Sequence, residues 1–169
     1  MKLYFWFIVA FLAYAPQVSP DEEAKRRFWE KLDEVVRGIP YTEKLFIGGY
    51  FNSHIGATSG GYNDVHGDFD FGVRNGVGTS LPDFAKAFEL VTANSSFPKT
   101  EEHLVTFLSL VAGIQIDYLL FRKSDKGQCA DCKVIPSENL TIQHRLLVMD
   151  LEIRRERRKR VVYGLLRIK

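Results

Sequence analysis

After Met1-Lys2 the chain runs through thirteen uncharged, mostly apolar positions, 3–15, before polarity returns. Two structures account for such a run. A buried β-strand rich in Phe, Ile, Val and Tyr carries apolar side chains on both faces. A secretory leader needs a positive start, an apolar stretch and small residues at the cut. Lys2 and Ala13-Tyr14-Ala15 supply these, although Pro16 is a poor residue to follow a cut. The run is too short for a comfortable transmembrane helix.

The pattern then turns helical. Ser19 fits an N-cap, Pro20 the first turn and Glu22 a capping box. Ala24, Phe28, Leu32 and Val35/Val36 recur at helical spacing with charges between them, until Gly38 and Pro40 stop the helix. Lys44-Leu45-Phe46-Ile47 reads as a short buried strand ending at Gly48-Gly49. The segment 53–79 is loop-like and dotted with glycines, a length that ordinarily carries function or mobility. A second helix starts at Ser80 and sets Leu81, Phe84, Ala85 and Phe88 on one face. Strand-like runs follow at 90–93, 104–108, 114–122, 132–135 and 146–153. Strands that dominate the second half, with two helices between earlier strands, predict a layered α/β or α+β architecture.

With 169 residues, 46% apolar and 26% charged, the chain has the size and composition of one globular domain. A net charge of only +2 restricts attraction for nucleic acid to a local patch. Arg154, Arg155, Arg157, Arg158, Lys159 and Arg160 form such a patch. That run suits phosphate binding or nuclear localisation, and equally a solvated helix or a linker to a further domain. Cys129 and Cys132 have the C-x-x-C spacing of half a zinc site or a redox pair. No further cysteine completes a zinc site, and the pair runs into a strand instead of opening a helix. Two reduced thiols are the expectation.

Polar residues at the ends of apolar strands mark where loops build sites. Four such segments stand out: Tyr14-Ala15-Pro16, Gly48-Gly49-Tyr50-Phe51-Asn52, Ile116-Asp117-Tyr118-Leu119-Leu120 and Gln143-His144-Arg145. A carboxylate inside a strand, as at Asp117, is costly without a partner, and a histidine is a reasonable one. Each segment alone is weak. Their order and spacing resemble the endonuclease/exonuclease/phosphatase superfamily, within it the endonuclease domains of LINE-type retroelements and their craniofacial development protein 2-like relatives. There Y-A-P, G-D-F-N and I-D-Y-L-L end or form strands, and a D-H or Q-H pair precedes the last one. Gly72-Val73-Arg74-Asn75, Leu81-Pro82-Asp83-Phe84-Ala85 and Glu101-Glu102-His103-Leu104-Val105-Thr106-Phe107 match further segments.

The resemblance implies a deoxyribonuclease-like fold over 1–153, part of a four-layer sandwich of two mixed β-sheets flanked by helices, with 154–169 as a basic tail. It also implies Mg²⁺-assisted hydrolysis of a phosphodiester in DNA. In that scheme His144 acts on the phosphate, Asp117 orients the imidazole, Asn52 holds the phosphate or the water, and Tyr14 contacts the phosphate. Gln143 stands where many members place a metal-binding Asp. Two departures point away from activity. The Asp of G-D-F-N is Tyr50 here, neutral at neutral pH with a pKa of about 10, and losing a positioned base typically costs about 10²–10⁴ in rate. Tyr14 also lies near the start, whereas in the family it follows roughly a third of the domain, so the metal-binding Glu is expected to be missing. The expectation is a truncated, inactive endonuclease domain, nuclear or cytoplasmic. A noncatalytic binding module using the basic tail is the alternative, and secretion is the alternative location if 1–15 act as a leader.

Overall fold

The computed structural model describes residues 8–15, 22–51, 55, 61–67, 69, 80–139 and 141–152. The expected cap at Ser19 and Pro20, most of the 53–79 loop, Asn52 and the basic run 154–160 lie outside these residues.

A four-stranded mixed sheet forms the centre, in the order β1-β2-β6-β3. Strand β1 (Ile8–Tyr14) runs parallel to β2 (Lys44–Tyr50), so the apolar N-terminal run is a strand over this span. Strand β6 (Asp117–Arg122) is antiparallel to both β2 and β3 (Leu90–Thr92). Helices α1 (Glu22–Arg37) and α2 (Ser80–Ala87) cover one face of this sheet. Leu32, Val36, Leu81, Phe84 and Ala85 pack there against Leu45, Ile47, Tyr118 and Leu120. Val35 is exposed, so the apolar stripe of α1 narrows to Val36 at its end. Exposed i,i+4 ion pairs such as Arg26–Glu30 and Arg37–Asp33 line the outer side of α1, where solvent screening leaves them little weight in stability.

The opposite face of the sheet carries Phe46, Val91, Leu119 and Phe121, which meet Cys132, Leu147 and Met149 of a long hairpin. That hairpin pairs β7 (Cys129–Asn139) with β8 (Arg145–Leu151). A smaller hairpin, β4 (Phe107–Leu108) with β5 (Gly113–Ile114), joins it through a bridge from Phe107 to His144. The described layers are therefore helices, a mixed sheet and a second antiparallel layer. Two expected strands are broken. The expected strand 104–108 loses its first half, following a 3-10 turn at Glu101–His103, and starts only at Phe107. The 114–122 run is interrupted at Gln115-Ile116, where the chain passes from one layer to the other.

Two buried cations fasten the far end of the sheet. Lys44 pairs with Asp125 at 2.5 Å, joining the start of β2 to the turn after β6. Arg122 donates to the carbonyls of Glu43, Ile39 and Pro40 and lies 4.7 Å from the Tyr41 ring centre. This holds the α1–β2 loop against the end of β6. At the near end Gly49 faces Ala13, and a Cβ there would run into the Ala13 backbone. Gly49→Ala is therefore expected to lower stability by about 1–3 kcal/mol through overpacking. Gly127→Ala, where an added Cβ meets nothing within 4 Å, should stay within about 0.5 kcal/mol. Denaturant midpoints of the two variants check this, and equal effects would refute the close-approach explanation.

Candidate active site

Strands β1, β2 and β6 end at one level. Tyr14 is the register partner of Tyr50, and Tyr50 that of Asp117. Side chains alternate across a strand, so Tyr50 shares the face of Phe46, and Asp117 that of Leu119 and Phe121. This is the face turned toward the β7–β8 hairpin. There β8 begins, and the residue just before it is His144. The backbone around His144 is fixed to β4: Arg145 N–H donates to Thr106 O and Leu108 N–H to Gln143 O, both at 2.8 Å. Two layers thus bring Asp117 and His144 together.

His144 Nδ1 lies 3.0 Å from Asp117 Oδ2. With the carboxylate as acceptor, Nδ1 carries the proton, and Nε2 is left to exchange one with a bound group. Burial holds the Asp117 carboxyl above its ordinary range, opposed by the charge of His144 and by hydrogen bonds from His144 and the Thr106 hydroxyl. Thr106 is fully buried, and its Oγ1 also accepts the amides of Ile116 and Asp117, each at 3.1 Å. Two rings fence the imidazole edge-on: Tyr50 at 5.7 Å and Phe107 at 4.8 Å between centres. Tyr50 itself is buried.

No family model matches the chain. Craniofacial development protein 2 of Tragulus javanicus is 28% identical over 143 residues, covering 83% of this chain and 25% of that protein. The Bos taurus protein is 27% identical over 143 residues, covering 83% and 24%. Among solved structures, the endonuclease domain of TRAS1, a telomere-specific non-LTR retrotransposon, superposes with a TM-score of 0.55 at 13% identity. The match covers 88% of this chain and 58% of that one. The fold of this chain is the deoxyribonuclease-like one, and the chain spans about a quarter of the length of the curated relatives it matches.

Of the residues the sequence singles out, Tyr50, Asp117 and His144 come together, and Tyr14 joins their row through its backbone. Gln143 sits beside them but is exposed, tied through its carbonyl. Thr106 and Phe107 escaped the sequence reading of the site. The only signal was their place in the segment that resembles the family, since neither carries a charge. The described residues of this rank do not fit a magnesium site. Among the described residues no group of three or more His, Cys, Asp or Glu could hold a metal ion. Asp117 is engaged by His144, residue 50 is a neutral ring and residue 143 an amide.

The C-x-x-C pair lies elsewhere, inside β7. A bulge between Cys129 and Asp131 lets both cysteines, opposite Leu151 and Met149, face the core. Both thiols are free, and burial pushes Cys129 up to about 11 and Cys132 higher still. Thiols so held are poor nucleophiles and poor ligands.

Tyr50→Asp should destabilise the fold. It removes a buried ring, a loss worth about 3–5 kcal/mol, and sets a carboxylate directly opposite Asp117, where like charges repel. Urea unfolding of the variant measures the cost, and a variant as stable as the parent would refute this packing role. Asp117 gives a second test. Its folded pKa is raised, so between the unfolded value of about 3.9 and the higher folded one the native chain binds more protons. Stability contributed by this group falls as pH rises through that interval and is level beyond it. Asp117→Asn should remove that limb from a plot of unfolding midpoint against pH, and an unchanged limb would assign it to another group.

Proposed function

We propose that this chain is a degenerate nucleic-acid phosphodiesterase module with negligible turnover. One observation carries the reading: the side chain opposite Asp117 and edge-on to His144 is Tyr50, where the resembling motif has an Asp. Hydrolysis of a phosphodiester needs a group to orient or deprotonate water and a cation to neutralise the phosphate. A neutral, buried tyrosine supplies neither. The Asp117–His144 pair is the half of the machinery that does not depend on residue 50, and an oriented imidazole alone is a weak catalyst, because groups acting as a unit fail together. The nuclease-like fold supports nucleic acid as the ancestral ligand, and no described helix is long and apolar enough to cross a membrane.

Supercoiled plasmid incubated with the purified chain and Mg²⁺ should remain unnicked, and Tyr50→Asp alone should not change that. Nicking that disappears with EDTA and with His144→Ala would overturn the reading.

A further inference from the structure

Strand β3 stops three residues short of completing its pairing with β6. Its last register pair is Thr92 with Leu120, and Ala93 N–H still reaches Leu119 O at 2.8 Å. Ala93 then turns into helical backbone (φ −66°, ψ −43°) and the chain leaves the sheet as a short 3-10 turn. The edge of β6 from Leu119 back to Asp117 loses its neighbouring strand there. Asn94 fills the gap with its side chain. Its Oδ1 accepts Leu119 N–H at 2.9 Å and its Nδ2 donates to Asp117 O at 3.0 Å. A carboxamide carries one acceptor and one donor group, as a peptide does, so it can stand in for the missing strand. Asn94 is buried, which keeps water from competing for either bond.

We infer that Asn94 is a positioning residue for the Asp117–His144 pair. Side chains meet both backbone polar groups of Asp117: Thr106 Oγ1 accepts its N–H and Asn94 Nδ2 donates to its carbonyl. With its N–H and its carbonyl both held by side chains, Asp117 keeps its place in the pleat, and its carboxylate meets His144 at 3.0 Å. The inference rests on reading Asp117 and His144 as the remaining part of a phosphodiesterase site, but its test does not use turnover.

The readout is the imidazole tautomer of His144, followed by ¹⁵N NMR of histidine-labelled full chain at alkaline pH and assigned by the signal that vanishes in His144→Gln. In the parent the Nδ1–H form should dominate. In Asn94→Asp, which keeps the volume and the acceptor but loses the donor, and in Asn94→Ala, the Nδ1–H form should give way to Nε2–H. Ser95→Ala is the control. It removes an equally buried hydroxyl next door that bonds Thr92 and Gly67 and touches neither Asp117 nor His144, so its tautomer should match the parent. An Nδ1–H form that persists in a folded Asn94 variant would overturn the inference. So would collapse of both Asn94 variants while Ser95→Ala folds, since Asn94 would then be a residue of the fold at large. Plasmid nicking, should it occur, would defeat the phosphodiesterase reading as degenerate and leave this result standing.

Discussion

Just before Tyr50 the backbone of β2 is held from both sides. Gly49 lies so close to Ala13 of β1 that no side-chain carbon fits, and immediately after it Phe51 N–H reaches Ile116 O beside β6. Strands β1, β2 and β6 consequently end in one rank, and the direction of residue 50 is set by the pleat before its chemistry is considered. Whatever stands at that position points toward the layer that brings His144. The identity of one side chain therefore decides what the rank can do, while the scaffold around it stays the same.

A carboxylate and an aromatic ring face different demands in that place. The carboxylate would stand opposite Asp117, itself half-buried and already raised in pKa by desolvation. Two like charges on one rung require a cation between them, and the described residues offer no cluster that would hold one. The ring needs no such help. It packs edge-on against His144, opposite Phe107, and the imidazole becomes part of a small aromatic seam linking the two layers. A ring at this position makes a contact that stabilises the fold without an ion.

Much of this was legible in the chain. The helical spacing of Phe28, Leu32 and Val36 and the apolar run around Leu45 and Ile47 fixed α1 and β2, since burial on one or both faces leaves a periodic trace. The alternation around Asp117 likewise marked a strand with a carboxylate needing a partner. Other features left no such trace. The break at Gln115-Ile116 comes from the chain crossing between layers, and the early end of β3 is compensated by a single Asn94 amide. Both are tertiary events that local pattern does not encode. The bulge that turns Cys129 and Cys132 to the same face is of this kind too, because C-x-x-C in an unbroken strand would split them across it. The four segments stood out by polar residues at strand ends and were tied together by a family resemblance, whereas Thr106, Phe107 and Asn94, being uncharged, were invisible to a search for chemistry.

The presence of an oriented Asp117–His144 pair is weak testimony for catalysis. The pair joins β6 of the mixed sheet to the start of β8, at the point where Phe107 bridges to His144 and Arg145 bonds to Thr106. A half-buried carboxylate in that seam needs a donor whether or not a phosphate ever binds, so the dyad serves the fold as a tie between layers. A water-orienting carboxylate at residue 50 would have no such second use, because its charge is a liability to the folded chain unless a cation accompanies it. The two halves of the site therefore answer to different physical pressures. Residue 50 is the position at which a buried charge and good packing part company.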